Sequence, residues 1–205
     1  MNVTQALVKI KELSNKIHIL PLSSNKGGVG HFIELSIGLK LNSECLDLTD
    51  GEIKAFPLKK NKGNSILVPK ETIAITMTDR EKLKTEVFCD SRLFKKINRV
   101  IFIPYFRKGT KVLIFDPIFI EHKYENNNNI FDNLKKDYDL IQKMFNENGR
   151  IESKYGDLIQ SRTKGQKGSS SRAYYFKTNY VKEYLIPKIN FTNDKIKKLI
   201  DEVLI

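Results

Sequence analysis

Cysteine is scarce in this chain of 205 residues: Cys45 and Cys89 are the two present. Two thiols cannot build a disulfide framework, so the sequence predicts reduced thiols in a cytoplasmic setting, with both cysteines as small buried residues. Histidine is nearly as rare. His18, His31 and His122 have no metal-ligand spacing, and no zinc pattern exists. No apolar run is long enough to cross a membrane. Lys9, Lys11 and Glu12 interrupt the apolar positions near the start, so no signal-peptide pattern is expected. No internal repeat is visible. Acidic residues are the minority charge: 24 Asp and Glu stand against 36 Lys and Arg, a formal net charge of +12. That balance favours a polyanionic partner, nucleic acid first, although a generally lysine-rich chain would show the same sum.

What is present suffices for one folded domain. Hydrophobic residues make up 40% and charged residues 29%, the balance of a globular chain with a real core. Val3, Ala6, Leu7, Ile10, Leu13 and Ile17 form one stripe, which predicts an amphipathic helix over 3–17. A second helix is expected from near Gly30 to before Asn42. Residues 45–57 read as a hairpin turned at Asp50-Gly51. Strands are expected over 66–68, 72–77, 99–104 and 111–120, then at 158–162 and 173–177 around a Gly/Ser/Lys loop at 163–171. Helices are expected over 131–146, 179–186 and 193–204. The charged stretch 79–85 reads as a separator. The mixture predicts an α/β or α+β domain.

Chemistry concentrates in two segments. The first is Lys26-Gly27-Gly28-Val29-Gly30-His31-Phe32-Ile33-Glu34. The second is Asp47-Leu48-Thr49-Asp50-Gly51-Glu52-Ile53-Lys54. In a strand, Glu52 and Lys54 share one face and Ile53 takes the other. A carboxylate beside an ammonium can bind a divalent metal and position a water, the chemistry that phosphodiester hydrolysis needs. The glycine-rich turn also resembles the phosphate loop of ParA-type ATPases. That loop needs Lys-Ser/Thr after its last glycine, and His31-Phe32 stands there instead, which excludes a nucleotide site.

Taken with their order, these segments resemble the MutH/Sau3AI family of DNA endonucleases. The family carries a Lys-Gly-x-Val-Gly segment ending in Glu, then Asp, then Glu-x-Lys. Here these are Lys26 to Gly30, Glu34, Asp47 and Glu52-Ile53-Lys54. Downstream, Lys96-Ile97-Asn98-Arg99-Val100-Ile101-Phe102-Ile103-Pro104 is similar to the family's lysine and buried strand. Tyr155-Gly156-Asp157-Leu158-Ile159-Gln160-Ser161-Arg162-Thr163-Lys164 is similar to its recognition segment, and Tyr174-Tyr175-Phe176-Lys177 to its late aromatic strand. The similarity runs in register from about residue 3 to 186, and residues 188–205 have no match.

The resemblance implies a restriction-endonuclease-like fold, a mixed sheet flanked by helices. Two lobes, about 1–95 and 96–205, would form a DNA-binding cleft. It implies a catalytic set of Asp47, Glu52, Lys54, Glu34 and Lys96, with Asp47 and Glu52 holding Mg²⁺. Lys26 and Gly27 would approach the DNA backbone, joined on the recognition side by Arg162, Lys164, Tyr175 and Lys177. Arg162 would read a base and Tyr175 would lie near an adenine whose methylation is sensed. The spacer from Asp47 to Glu52 is four residues, shorter than the family's, so Asp50 competes for the metal role. Asp47 is preferred because Asp50-Gly51 has turn chemistry. Thr163 stands where the family often has proline. The implied activity is Mg²⁺-dependent cleavage of duplex DNA at a GATC-type site. It would be a type II restriction enzyme with a cognate methyltransferase, acting as a homodimer at least on DNA. The alternatives are a mismatch-repair nickase activated by MutL, and a non-catalytic DNA-binding module.

Overall fold

In the computed structural model, which describes residues 1–22, 27–39, 45–61, 66–122, 129–166 and 169–205, helix α1 (Val3–Leu13) opens on a reciprocal cap. The Asn2 side chain accepts from the Gln5 N–H, and the Gln5 side chain accepts from the Asn2 N–H. The helix stops short of the predicted Ile17. Asn15 adopts a left-handed φ of 56° and donates its N–H to the Ile114 carbonyl. The chain then continues as an edge strand, β1 (Lys16–Ile19). The apolar stripe read as one helix therefore divides between a helix and a strand. Helix α2 follows (Gly28–Ser36).

The expected hairpin over 45–57 does not form. Only an isolated Leu48–Gly51 bridge closes the turn. From Glu52 the chain enters a long strand, β2 (Glu52–Lys60), which runs parallel to β5 (Arg99–Lys108). The reason lies in its two faces: Ile53 is buried on one side, and Phe56 and Leu58 on the other. A strand covered on both faces belongs inside a sheet. The first sheet takes the order β1-β6-β5-β2-β3, with β3 at Leu67–Pro69 and β6 at Lys111–Ile114; β7 (Ile118–Glu121) pairs with the start of β5. The single apolar run predicted at 111–120 is thus two strands. Pro104 is tolerated inside β5 because it falls where β7 pairing ends at Phe102 and β6 pairing begins at Tyr105. A second, antiparallel sheet has the order β4-β9-β8, with β4 at Ile73–Met77, β8 at Ile159–Thr163 and β9 at Arg172–Phe176. Both sheets draw strands from either side of residue 95.

Short helices α3 (Arg80–Leu83) and α4 (Arg92–Ile97) occupy ground read as a charged separator or left unassigned. Asp79 and Ser91 cap them through their side chains. The long α5 (Ile130–Asn148) ends at Gly149, whose φ is 64°. The next helical stretch is a chain of short turns: α6 (Thr178–Tyr180), a π turn (Val181–Leu185) and a 3-10 turn around Pro187 (Ile186–Lys188). The last helix, α7 (Asp194–Leu204), packs against β5 and β6.

Alternation along β5 divides the core. Ile101 and Ile103 join Val3, Ala6, Ile10, Val29 and Ile33 beneath α1 and α2. Val100 and Phe102 face the larger cluster, which continues through Phe176 and Tyr180 to α5. Phe102 and Phe176 meet edge-on, 5.5 Å between centroids, and so tie the two sheets together. Phe102 and Phe115 are core residues, as expected, with Phe119 partly buried. Cys45 and Cys89 are both exposed, which corrects the expectation of buried thiols: each lies in a surface connection outside the two clusters. The architecture is mixed α+β, a mixed sheet flanked by helices, consistent with a restriction-endonuclease-like fold. Among the described residues, no helix is long and apolar enough to cross a membrane.

Candidate active site

The first residues of β2 carry a buried group of opposite charges. Glu52 is fully buried, and its Oε1 accepts from two ammoniums, Lys54 Nζ at 2.6 Å and Lys96 Nζ at 2.7 Å. Lys54 is there because residues two apart in a strand share a face. Lys96 arrives from the last turn of α4, just before the chain enters β5, and only 10% of its side chain is exposed. The other Glu52 oxygen, Oε2, accepts from the Asp47 N–H at 3.3 Å, and Asp47 Oδ2 accepts from the Ile53 N–H at 3.1 Å. Asp47 and Glu52 are thus laced together across the turn.

Asp50 has different work. Its Oδ1 accepts from the Val3 N–H at 2.8 Å, and its Oδ2 pairs with Arg99 at 2.6 Å. It fastens the start of α1 to β5, whereas Asp47 turns toward Glu52. Gly51 is obligatory between them. A Cβ there would stand 2.5 Å from Val3 Cγ2 and 2.9 Å from the Arg99 carbonyl oxygen.

Glu34 reaches the same site from α2. Val29 and Ile33 bury that helix on β2, which aims the adjoining face at the charges. Gly30 faces the same region, with a built Cβ 4.0 Å from both Ala55 Cβ and Glu34 Oε1, an ordinary contact distance. Burial first, and then the Asp47 carboxylate, push the Glu34 carboxyl above its ordinary range, while His31 and Lys54 oppose that rise. Glu34, Asp47, Glu52, Lys54 and Lys96 therefore converge. Gly27 precedes α2 at the edge of this region, and its carbonyl accepts from the His31 N–H. Lys26 lies outside the described residues. Among the described residues, no three His, Cys, Asp or Glu side chains are gathered into a ready cation cage.

The remaining predicted residues sit on the second sheet. The Arg162 guanidinium lies over the Tyr175 ring at 4.3 Å and donates to Thr72 Oγ1 at 2.9 Å. Lys164 is exposed beyond the end of β8. The Lys177 ammonium donates to the Gly156 carbonyl. Arg162 and Tyr175 are thus brought together, and Lys177 serves the turn before β8. Sequence reasoning did not find Asp137, a buried carboxylate on α5 that accepts from the backbone of that same turn. Its signal was weak, one polar residue next to Tyr138 on a helix face. His122 has no metal-ligand spacing in the sequence. It is buried, bonded to the Ile97 carbonyl and to the Tyr180 hydroxyl.

A mixed sheet bearing a Glu-x-Lys pair, an Asp one turn earlier and a second buried lysine supports the class of DNA endonucleases. The model of the family described as DNA mismatch repair enzyme MutH matches residues 37–137, so over that span the chain is similar to this family. The matched span includes Asp47, Glu52, Lys54 and Lys96. No curated protein matches the chain.

Proposed function

We propose that the chain is a Mg²⁺-dependent, sequence-specific endonuclease of duplex DNA, acting as a type II restriction enzyme on a GATC-type target. The observation that carries this reading is the convergence of Asp47, Glu52, Lys54 and Lys96, together with Glu34, at the start of a buried strand. The donor set suits a hard divalent cation: Asp47 and Glu52 offer carboxylate oxygens, Glu52 by exchanging an ammonium contact for the ion, and Glu34, raised first by burial and then by the Asp47 carboxylate, would be relieved by a cation. Asp47 is the better ligand than Asp50, whose oxygens are engaged by Val3 and Arg99. When bound, Mg²⁺ supplies Lewis acidity toward the scissile phosphate. The chain's own residues do the rest. Lys54, partly exposed, orients the attacking water or stabilises charge developing on the phosphate. Lys96, nearly buried, holds Glu52 in place. Arg162, poised on Tyr175, reads a base edge, and Lys26, Gly27 and Lys164 approach the phosphate backbone.

The matched family's description favours a second reading, a mismatch-repair nickase needing a MutL-type activator. The basic excess of +12 favours independent DNA binding and hence restriction. Supercoiled, unmethylated plasmid incubated with Mg²⁺ or EDTA separates the readings. Discrete linear fragments that need Mg²⁺ establish restriction-type cleavage. Open circles alone support the nickase. DNA binding without cutting in any divalent metal, with or without a MutL-type protein, leaves a non-catalytic module. Lys54→Ala is expected to lower cleavage by about 10²–10³-fold while DNA binding persists.

A further inference from the structure

Asp137 is a buried carboxylate with no part in the charge cluster on β2. It lies on α5, is 7% exposed, and accepts from three successive backbone N–H groups. Its Oδ1 takes the Asp157 N–H at 2.9 Å; its Oδ2 takes those of Leu158 at 2.7 Å and Ile159 at 2.9 Å. Successive N–H groups converging on one anion form a nest, here filled by the protein's own side chain. These amides belong to the turn that launches β8. Gly156 makes the turn possible with a φ of 80°; a Cβ there would stand 2.2 Å from the Ile159 carbonyl oxygen and 3.1 Å from Asp137 Cγ. Lys177 closes the opposite side. Its ammonium donates to the Gly156 carbonyl, and its backbone N–H donates to the Leu158 carbonyl at 2.7 Å.

What this clamp launches is the strand bearing the candidate base reader. Gln160 pairs across from Tyr175, and Arg162 follows two residues later on the same face, stacked on that ring. We infer that Asp137 is a specificity-determining positioning residue. Its carboxylate fixes the entry of β8, so that the exposed Arg162 meets the DNA bases in one preset position, backed by the buried Gln160 and Tyr175. The inference rests on the base-reading role proposed above for Arg162. The distance is short: Ile159 precedes Arg162 by three residues, about 10 Å of extended chain. Base-edge hydrogen bonds tolerate little displacement, and a one-residue slip of β8 would turn Arg162 to the other face. Asp137 touches no base and no reacting atom, so its loss should change which DNA is preferred rather than how the phosphate is attacked.

The test begins with selection of the preferred site by the wild-type protein from a randomised duplex pool, with EDTA present to prevent cutting. Dissociation constants are then measured for that site and for a site with one base pair changed, using wild type, Asp137→Asn and Arg162→Ala, beside thermal melting. Asp137→Asn keeps the side-chain size but replaces an acceptor oxygen by an amide donor. Its ratio of affinities between the two duplexes is expected to fall about tenfold, with binding to the changed duplex unaltered. A folded variant with an unchanged ratio, or with equal loss on both duplexes, overturns the inference. If Arg162→Ala loses discrimination and Asp137→Asn retains it, the base-reading role stands and the positioning role falls. If wild type selects no site, the base-reading role falls and takes the inference with it. Should Asp137→Asn fail to fold, Asp137→Glu, which keeps the charge but displaces the carboxylate from the three amides, carries the same expectation and is overturned by the same results.

Discussion

At the scale of single residues, burial decides what each charge can do. Glu52 is fully buried against two ammoniums, of which Lys96 is the more enclosed. Glu52→Ala would leave both facing one another without a counter-charge. Breaking a buried pair from one side costs about 3–5 kcal/mol, so urea unfolding should show a loss of that order. The double variant Glu52→Ala/Lys96→Met should recover part of the stability and none of the cleavage, which separates the structural role of the carboxylate from its chemical one. His122 makes a pH-dependent case. Its Nδ1–H donates to the Ile97 carbonyl, so Nε2 accepts from the Tyr180 hydroxyl at 2.6 Å, and the ring lies against Phe176. Burial pushes its pKa down to about 4. The unfolded chain therefore binds a proton that the folded chain refuses between pH 6.5 and about 4, and stability falls as pH falls through that window. By pH 5 the loss from this one group should reach about 2 kcal/mol relative to pH 8. Denaturant unfolding at pH 8, 6.5 and 5 measures it, and His122→Gln should flatten the slope.

At the scale of elements, the sequence was readable where one periodicity ran unbroken. Phe131, Leu134, Tyr138, Ile141 and Phe145 predicted α5 nearly to its ends, and the apolar run from Arg99 predicted β5. It misled where a tertiary contact cut across the pattern. Ile17 continues the apolar stripe of α1, but Asn15 turns left-handed and β6 captures the next residues as β1. Asp50-Gly51 carries hairpin chemistry, yet the strand after it has two buried faces and pairs parallel with a partner 48 residues on. The Glu-x-Lys geometry was legible because it is local, two residues in a strand. The joining of Lys96 to Glu52 from 44 residues away followed only from the family resemblance, and the Asp137 clamp was invisible because its acceptor and donors lie 20 or more residues apart. Gly51 ties these levels together, since α1, β5 and the Asp47 turn meet at its missing side chain. Gly51→Ala forces a methyl against the Arg99 carbonyl, a backbone group that cannot swing aside. Overpacking of this kind costs about 1–3 kcal/mol, and displacement of the turn should lower cleavage more than it lowers DNA affinity. Melting temperature, gel-shift binding and plasmid cleavage on one preparation would show this split.

At the scale of the molecule, one charge cluster on β2 must be reconciled with a duplex of two strands. Each chain brings Asp47, Glu52, Lys54 and Lys96 together once, at one end of β2. In the proposed function, one such site would hydrolyse one phosphodiester at a time. Cutting both strands of a palindromic target in one event needs two copies related by a two-fold axis, each presenting its own β8 to half of the target. A nickase needs one copy. The basic excess favours DNA binding without an activator, but it does not set how many copies act. Protein concentration does choose. In the restriction reading, supercoiled plasmid with a single target should pass directly to linear DNA, at a rate rising with more than the first power of protein concentration below saturation. Open circles should appear only when protein is scarce. In the nickase reading the rate stays first order and circles accumulate at every concentration. A time course quenched over a hundredfold range of protein gives the order directly. Mixing wild type with excess Lys54→Ala sharpens the result. Mixed pairs would carry one working site, so a two-copy enzyme would be converted from a linearising activity into a nicking one, whereas a single-copy nickase would only be diluted.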